Sequence, residues 1–213
     1  MTDYHSLIRK DVLRICPPGL AKKVLEIGCG TGETLAYMKR MGLAKHVTGI
    51  ERSSACVGRV NPDVDAFLHM DAEQFEPNEQ YSGILLLDVL EHLVEPFVLL
   101  KRLVSCLAPN GYILISIPNI RNLGILKSLI FHGEWEYQDS GILDRTHLRF
   151  FTYASFLRTV TTVIPELQLD EYASNDELHS CFWSCVLALP KFKELGVCQH
   201  LFRFSCHGSS NLF

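Results

Sequence analysis

The chain has 213 residues, 47% hydrophobic and 21% charged, with a net charge of −4. That balance fits one globular domain with a sizeable core. It speaks against a nucleic-acid partner, because no dense Lys/Arg run is present, and no apolar run reaches the roughly 18 residues of a membrane span.

Met1 to Lys10 carries charge and lacks the apolar core of a signal peptide. The eight cysteines contain no Cys-x-x-Cys pair. Reduced, mostly buried thiols in a cytoplasmic protein are the expectation. Cys181, Cys185, Cys198, Cys206 and His207 crowd towards the end, but their spacings fit no zinc pattern, and no metal is expected.

Tyr4 to Ile15 reads as an amphipathic helix through Leu7, Ile8, Val12 and Ile15, stopped by Pro17-Pro18-Gly19. Lys23 to Ile27 is a first strand. Glu33 to Met41 is a helix capped by Gly42. His46 to Ile50 is a second strand, and Ser53 caps a short helix. Val64 to Met70 and the unbroken apolar run Gly83 to Leu87 are strands three and four. Pro96 to Leu107 is a strong helix. After a Pro109-Asn110-Gly111 turn, Tyr112 to Ile117 is a fifth strand.

Beyond Pro118 the rhythm changes. Asn119 to Ile130 looks helical, and His132 to Phe151 is polar, aromatic and irregular. Thr152 caps a helix from Tyr153 to Val163, and Leu167 to Tyr172 and Phe182 to Leu189 read as two final strands. The alternation predicts an α/β fold: a doubly wound, mostly parallel seven-stranded sheet with helices on both faces. One domain spans residues 1–190. Residues 191–213 show no clear pattern and are set aside as a tail.

The pivotal stretch is Val24-Leu25-Glu26-Ile27-Gly28-Cys29-Gly30-Thr31-Gly32, a strand turning into a helix over nearly bare backbone. A phosphate loop would need Gly-Lys-Ser/Thr where Gly32-Glu33-Thr34 stands. A dinucleotide fingerprint needs its third glycine one residue later. Glu33 also puts a carboxylate at the helix N-terminus, where a pyrophosphate would be repelled. A ligand without phosphate and with positive charge suits this turn.

Residues 24–32 resemble the first motif of the class I S-adenosylmethionine-dependent methyltransferases, and the resemblance runs over roughly residues 20–165. It implies the Rossmann-like methyltransferase fold, S-adenosylmethionine as cofactor and S-adenosylhomocysteine as product. It also implies roles for individual residues. Gly28, Cys29, Gly30 and Gly32 shape the turn, and Glu26 steadies it. Glu51, beside Arg52, accepts the ribose hydroxyls. Asp71 takes the adenine amino group while the Ala72 backbone meets the ring. Asp88 lies near the methionine part. These acids end strands two to four, the edge where open α/β sheets bind ligands.

Asp88-Val89-Leu90-Glu91-His92-Leu93 looks like the Glu-His segment of quinone-biosynthesis methyltransferases, which makes His92 a candidate base or substrate-orienting group. Gly141 to Thr152 resembles a segment of small-molecule members, in a substrate lid over residues 119–151. There His147 is a candidate catalytic residue, and Asp144, Arg145 and Tyr137 are candidate substrate contacts, among aromatic walls from Trp135, Phe150 and Phe151. The alternative is that Asp144, Arg145 and His147 pair with one another and pin the loop.

The expected function is methyl transfer to a small-molecule acceptor, an oxygen nucleophile before nitrogen or carbon. A homodimer is compatible with the chain. Two other readings are a catalytically silent cofactor-binding partner protein and a protein or RNA methyltransferase. Against the latter stand the missing Asn-Pro-Pro-Tyr type of segment and the lack of a basic face.

Overall fold

The structure, a computed structural model, describes residues 6–176 and 192–206. Seven strands form one sheet: β1 (Ala21–Ile27), β2 (Ala44–Glu51), β3 (Ala66–His69), β4 (Tyr81–Leu87), β5 (Leu107–Pro118), β6 (Leu167–Asp176) and β7 (Val197–Cys206). Their order is β3-β2-β1-β4-β5-β7-β6. The first five run parallel, and β7 lies antiparallel between β5 and β6.

Alternation along the strands sends side chains to two separate cores. Leu25, Ile27, Ile84, Leu86, Ile113 and Phe202 face one side, under α3 (Pro96–Ser105) and α5 (Tyr153–Val163). Val24, Leu85, Leu87, Leu114 and Leu201 face the other, under α1 (Lys10–Leu13) and α2 (Glu33–Arg40). Each fully buried Leu or Phe in these layers stabilises the fold by about 1.5–3 kcal/mol. Helices on both faces explain why β4 reads as an unbroken apolar run.

Local chemistry sets the boundaries. Thr152 and Ser155 form a reciprocal capping box at the start of α5, as its sequence suggests. The Pro109-Asn110-Gly111 turn is a bulge within β5: Tyr81 pairs with Leu107, but Gly83 pairs with Tyr112, and Asn110 is left-handed with φ 59°.

Three expectations are corrected. The amphipathic stretch before Pro17 is α-helical only over Lys10–Leu13, since residues 7–9 lie outside the helix and the Arg9 amide donates to Thr34 Oγ1 (3.1 Å). The helix expected from Asn119 starts at Leu123, as α4 (Leu123–Lys127), and runs into a π-helical turn over Ser128–His132. Asn119 is instead buried, its amide donating to the carbonyls of Glu194 (2.8 Å) and Val197 (2.9 Å). Finally, strand β7 lies within the segment set aside as a patternless tail. Both its faces are covered, and the buried His200 interrupts its apolar run, paired through Nδ1 with the Tyr172 hydroxyl at 2.9 Å. The strand expected at Phe182–Leu189 lies outside the described residues, as do Cys181 and Cys185.

Candidate functional site

A cavity of about 500 Å³ opens at the C-terminal edge of β1, β2 and β4. The glycine turn forms its floor. Gly28, Gly30 and Gly32 all take left-handed backbone, with φ of 70°, 57° and 82°, and side chains other than glycine's adopt it only at a cost. A Cβ on Gly28 would stand 2.6 Å from Val89 Cγ2. Gly32 does not line the cavity. It caps α2, and a Cβ there would stand 2.5 Å from Val64 Cγ2, so its role is backbone geometry rather than ligand contact.

Four carboxylates converge here. Glu51 braces the turn, accepting from the Gly30 amide (3.0 Å) through one oxygen and the Ser53 amide (2.7 Å) through the other. Each oxygen keeps a second lone pair for a ligand. Asp71 accepts from the Glu73 amide (2.9 Å) and caps the short turn Ala72–Gln74. Glu26 is buried, and its Oε2 has no hydrogen-bond partner among the described residues. Burial pushes the Glu26 carboxyl up to about 8, with the Arg9 charge opposing and the Glu51 charge assisting. Glu33, read as a repellent to pyrophosphate, is tied to the Asn61 amide at 3.0 Å.

Asp88 is the hub of the fourth strand end, itself left-handed at φ 57°. It accepts from Ser116 Oγ (2.9 Å), from Gln199 Nε2 (2.5 Å) and from Arg9. The Arg9 guanidinium also meets Asp11 (3.0 Å) and Gln199 Oε1 (2.9 Å), while Asn175 bridges Asp11 and Gln199. Burial opposes its charge, yet Asp88 and Asp11 hold its pKa above the ordinary arginine value. This clasp joins the N-terminal segment to β4, β5, β6 and β7.

At the rim, two imidazoles meet edge to face, His92 and His147, with centroids 4.7 Å apart. His92 lines the cavity, and so does Thr146. His147 is buried behind them; its Nδ1 lies 3.0 Å from the Ile142 carbonyl and its Nε2 3.9 Å from Glu91 Oε1. Glu91 is fully buried, and neither carboxyl oxygen has a hydrogen-bond partner among the described residues. Burial, then the Asp88 charge, holds it well above the usual carboxylate range. Donor atoms of Glu91, His92 and His147 lie within 4.8 Å of one another. Sharing a cation would require Glu91 to ionise there.

The sequence-based candidates divide cleanly. Glu26, Gly28, Cys29, Gly30, Glu51, Arg52, Asp71, Ala72, Asp88 and His92 all line the cavity. His147, Asp144, Arg145 and Tyr137 do not. Arg145 pairs with Asp139 at 2.6 Å on the surface, Asp144 accepts from Thr146, and the Tyr137 ring is half exposed. The side chains of Arg145, Asp144 and His147 bond to other lid residues, Asp139, Thr146 and Ile142, rather than pairing with one another as the alternative expectation had it. Sequence reasoning missed Arg9, Thr146, Gln199 and the buried state of Glu91. Arg9 sat in an apparent helix face, Thr146 was passed over between two chargeable neighbours, and Gln199 fell in the patternless stretch.

A family model described as a methyltransferase domain matches residues 2–161. A ubiquinone biosynthesis O-methyltransferase of Bradyrhizobium diazoefficiens is 33% identical over 110 residues, 49% of this chain and 42% of that protein. Its counterpart from Aeromonas salmonicida is 28% identical over 145 residues, 64% of this chain and 60% of that protein. The chain thus spans about half the length of these curated relatives. The structure of the N-methyltransferase NodS of Bradyrhizobium japonicum, in complex with S-adenosylhomocysteine, superposes with a TM-score of 0.61 at 18% identity, covering 92% of this chain and 84% of that one. With the glycine turn, the strand-end acids and the sheet order all in agreement, the chain belongs to the methyltransferase-domain family and has the fold of its S-adenosylmethionine-dependent members.

Proposed function

We propose that the chain binds S-adenosylmethionine in the 500 Å³ cavity and transfers its methyl group to a small molecule through an oxygen nucleophile. The observation that carries this is the wall around the glycine turn. Four acidic side chains line it, and one of them, Glu26, has a buried oxygen with no hydrogen-bond partner among the described residues. Such a wall suits a cationic nucleoside and disfavours a phosphate. The backbone of Gly28 and Gly30 lies open to the ligand, Glu51 has lone pairs left for two hydroxyls, and the Arg9 guanidinium supplies a cation beside Asp88.

S-adenosylmethionine, once held, would supply a sulfonium-activated methyl carbon open to in-line attack by the acceptor oxygen, with the sulfur–carbon bond breaking and S-adenosylhomocysteine as the leaving group. The residues must align the acceptor and take its proton. His92, at the rim, is the base: the hydroxyl proton passes to its ring and then to solvent. Burial, then the neighbouring His147, lowers the His92 pKa, which keeps the ring neutral and able to accept.

The relatives' names include both an O- and an N-methyltransferase. A rim imidazole favours an acidic hydroxyl, which gains from proton removal. The test is calorimetry with S-adenosylhomocysteine, followed by transfer from labelled S-adenosylmethionine to a panel of phenols, carboxylic acids and amines. Binding together with methylation of hydroxyl acceptors, lost in H92A, is the expected result. Binding of a nicotinamide cofactor instead, or methylation of amines alone, would overturn the reading.

A further inference from the structure

We propose that Thr146 and Asp144 are positioning residues that fix His92 in its Nδ1–H tautomer, leaving the Nε2 lone pair for the acceptor's proton. This rests on the reading of His92 as the base. The argument is a count of protons. His92 Nδ1 lies 3.3 Å from the Thr146 carbonyl, which only accepts, and 3.0 Å from the Thr146 hydroxyl. A hydroxyl has one proton, and this one is committed elsewhere: Thr146 Oγ1 lies 2.6 Å from Asp144 Oδ1.

The same carboxylate oxygen takes the Thr146 amide at 2.8 Å. Burial opposes its ionisation, but these two bonds outweigh it and hold Asp144 below the ordinary aspartate range. Asp144 is therefore an acceptor, Thr146 donates to it, and the remaining hydroxyl lone pair faces Nδ1. Both oxygens of Thr146 then ask the ring for the same proton.

The surroundings agree. The neighbouring His147 has Nδ1 at 3.0 Å from the Ile142 carbonyl, so it too is fixed as an Nδ1–H ring and donates nothing towards His92 through that atom. The chain from Asp144 through Thr146 to His92 carries the logic of a catalytic triad's orienting acid, with a hydroxyl interposed. It assigns Asp144 a task other than touching the acceptor. It also gives the lid, which contributes Thr146 and Asp144 from 54 and 52 residues downstream of His92, a direct part in setting the base.

The experiment is histidine-labelled nitrogen NMR of the full chain, joined to steady-state kinetics. In the wild-type protein the His92 signals, assigned by loss in H92A, should report a protonated Nδ1 and a bare Nε2. In T146V, which keeps the shape and removes the hydroxyl, the tautomers should mix and kcat should fall about 10- to 100-fold, within the range of a base's contribution. The KM for the acceptor should change much less. T146S should return the tautomer and most of the lost rate, which a purely structural role for the residue would not require. D144N should fall between the two. A wild-type His92 protonated on Nε2 overturns the proposal whatever the kinetics, and so does a T146V protein with unchanged tautomer and kcat. An H92A protein with wild-type turnover overturns the general-base reading, and the tautomer of wild-type His92 then decides the relay alone.

Discussion

The two sides of the cavity are built by different rules. On the β1–β2 side each polar contact closes over a short span of chain. Glu51 accepts from Ser53, two residues on, and from Gly30, 21 residues back, while Asp71 accepts from Glu73. Around Asp88 the contacts come from far away. Arg9 reaches across 79 residues, Gln199 across 111, and Arg9 and Gln199 join over 190. The first side is made by strand–turn–helix units that carry their own caps. The second exists only when the N-terminal segment and β7 have docked. A binding floor can thus be assembled locally, whereas the clasp that closes it is a property of the whole fold.

Substitutions on either side sharpen that contrast. The largest effect belongs to E26Q. The Glu26 carboxyl is at about 8 when folded against 4.5 when exposed. The folded state then holds a proton that the unfolded state has lost between those values. Stability from this group is full below about pH 4.5 and declines as the pH rises towards 8, at about 1.4 kcal/mol per unit. Denaturant titrations of the ligand-free protein at several pH values should show that decline in the wild type and a flatter profile in E26Q. Parallel profiles would mean that the floor carries no stored desolvation cost.

R9A comes next, at about 3 kcal/mol of stability, because it strips a guanidinium from Asp88 and leaves a half-buried carboxylate unbalanced. Urea unfolding measures it. A loss under about 0.5 kcal/mol, the scale of a surface pair, would break the idea that the clasp depends on distant chain. G28A strains a left-handed residue and drives a Cβ against Val89. It should weaken S-adenosylhomocysteine binding by about 2 kcal/mol, or roughly 30-fold, by calorimetry. The smallest effect is R145A. Its pair with Asp139 is exposed, so stability and acceptor KM should stay within about 0.5 kcal/mol of wild type. A large rise in KM would return Arg145 to the acceptor site.

The same division explains what could be read from the sequence. Strands β1, β2 and β4, the turn at Gly28–Gly32 and the acids at Glu51, Asp71 and Asp88 are visible because each sits at a fixed offset from a strand end. The Thr152 cap is visible because a capping box is local. Strand β7 is not, because His200 is made tolerable by Tyr172, 28 residues away, and no periodicity encodes that partner. Arg9 looks like a solvated charge until Asp88 is placed opposite it. His147 looks more reactive than Thr146, yet the lid buries the imidazole and it is Thr146 that lines the cavity. Residue chemistry names the reagents, and only the packing says which of them faces the cavity.

Strand β7 has a consequence for how the molecule comes into being. Among the described residues it is the last made on the ribosome, yet it belongs in the slot between β5 and β6, which pair with it and not with each other. Until residues 197–206 emerge, the slot stays open, two strand edges are bare, and Asp88 lacks Gln199. A nascent chain can therefore carry a finished glycine turn while Asp88, at the cavity wall, still lacks the partner that β7 brings. Completion of the contacts around Asp88 thus waits until synthesis has reached β7.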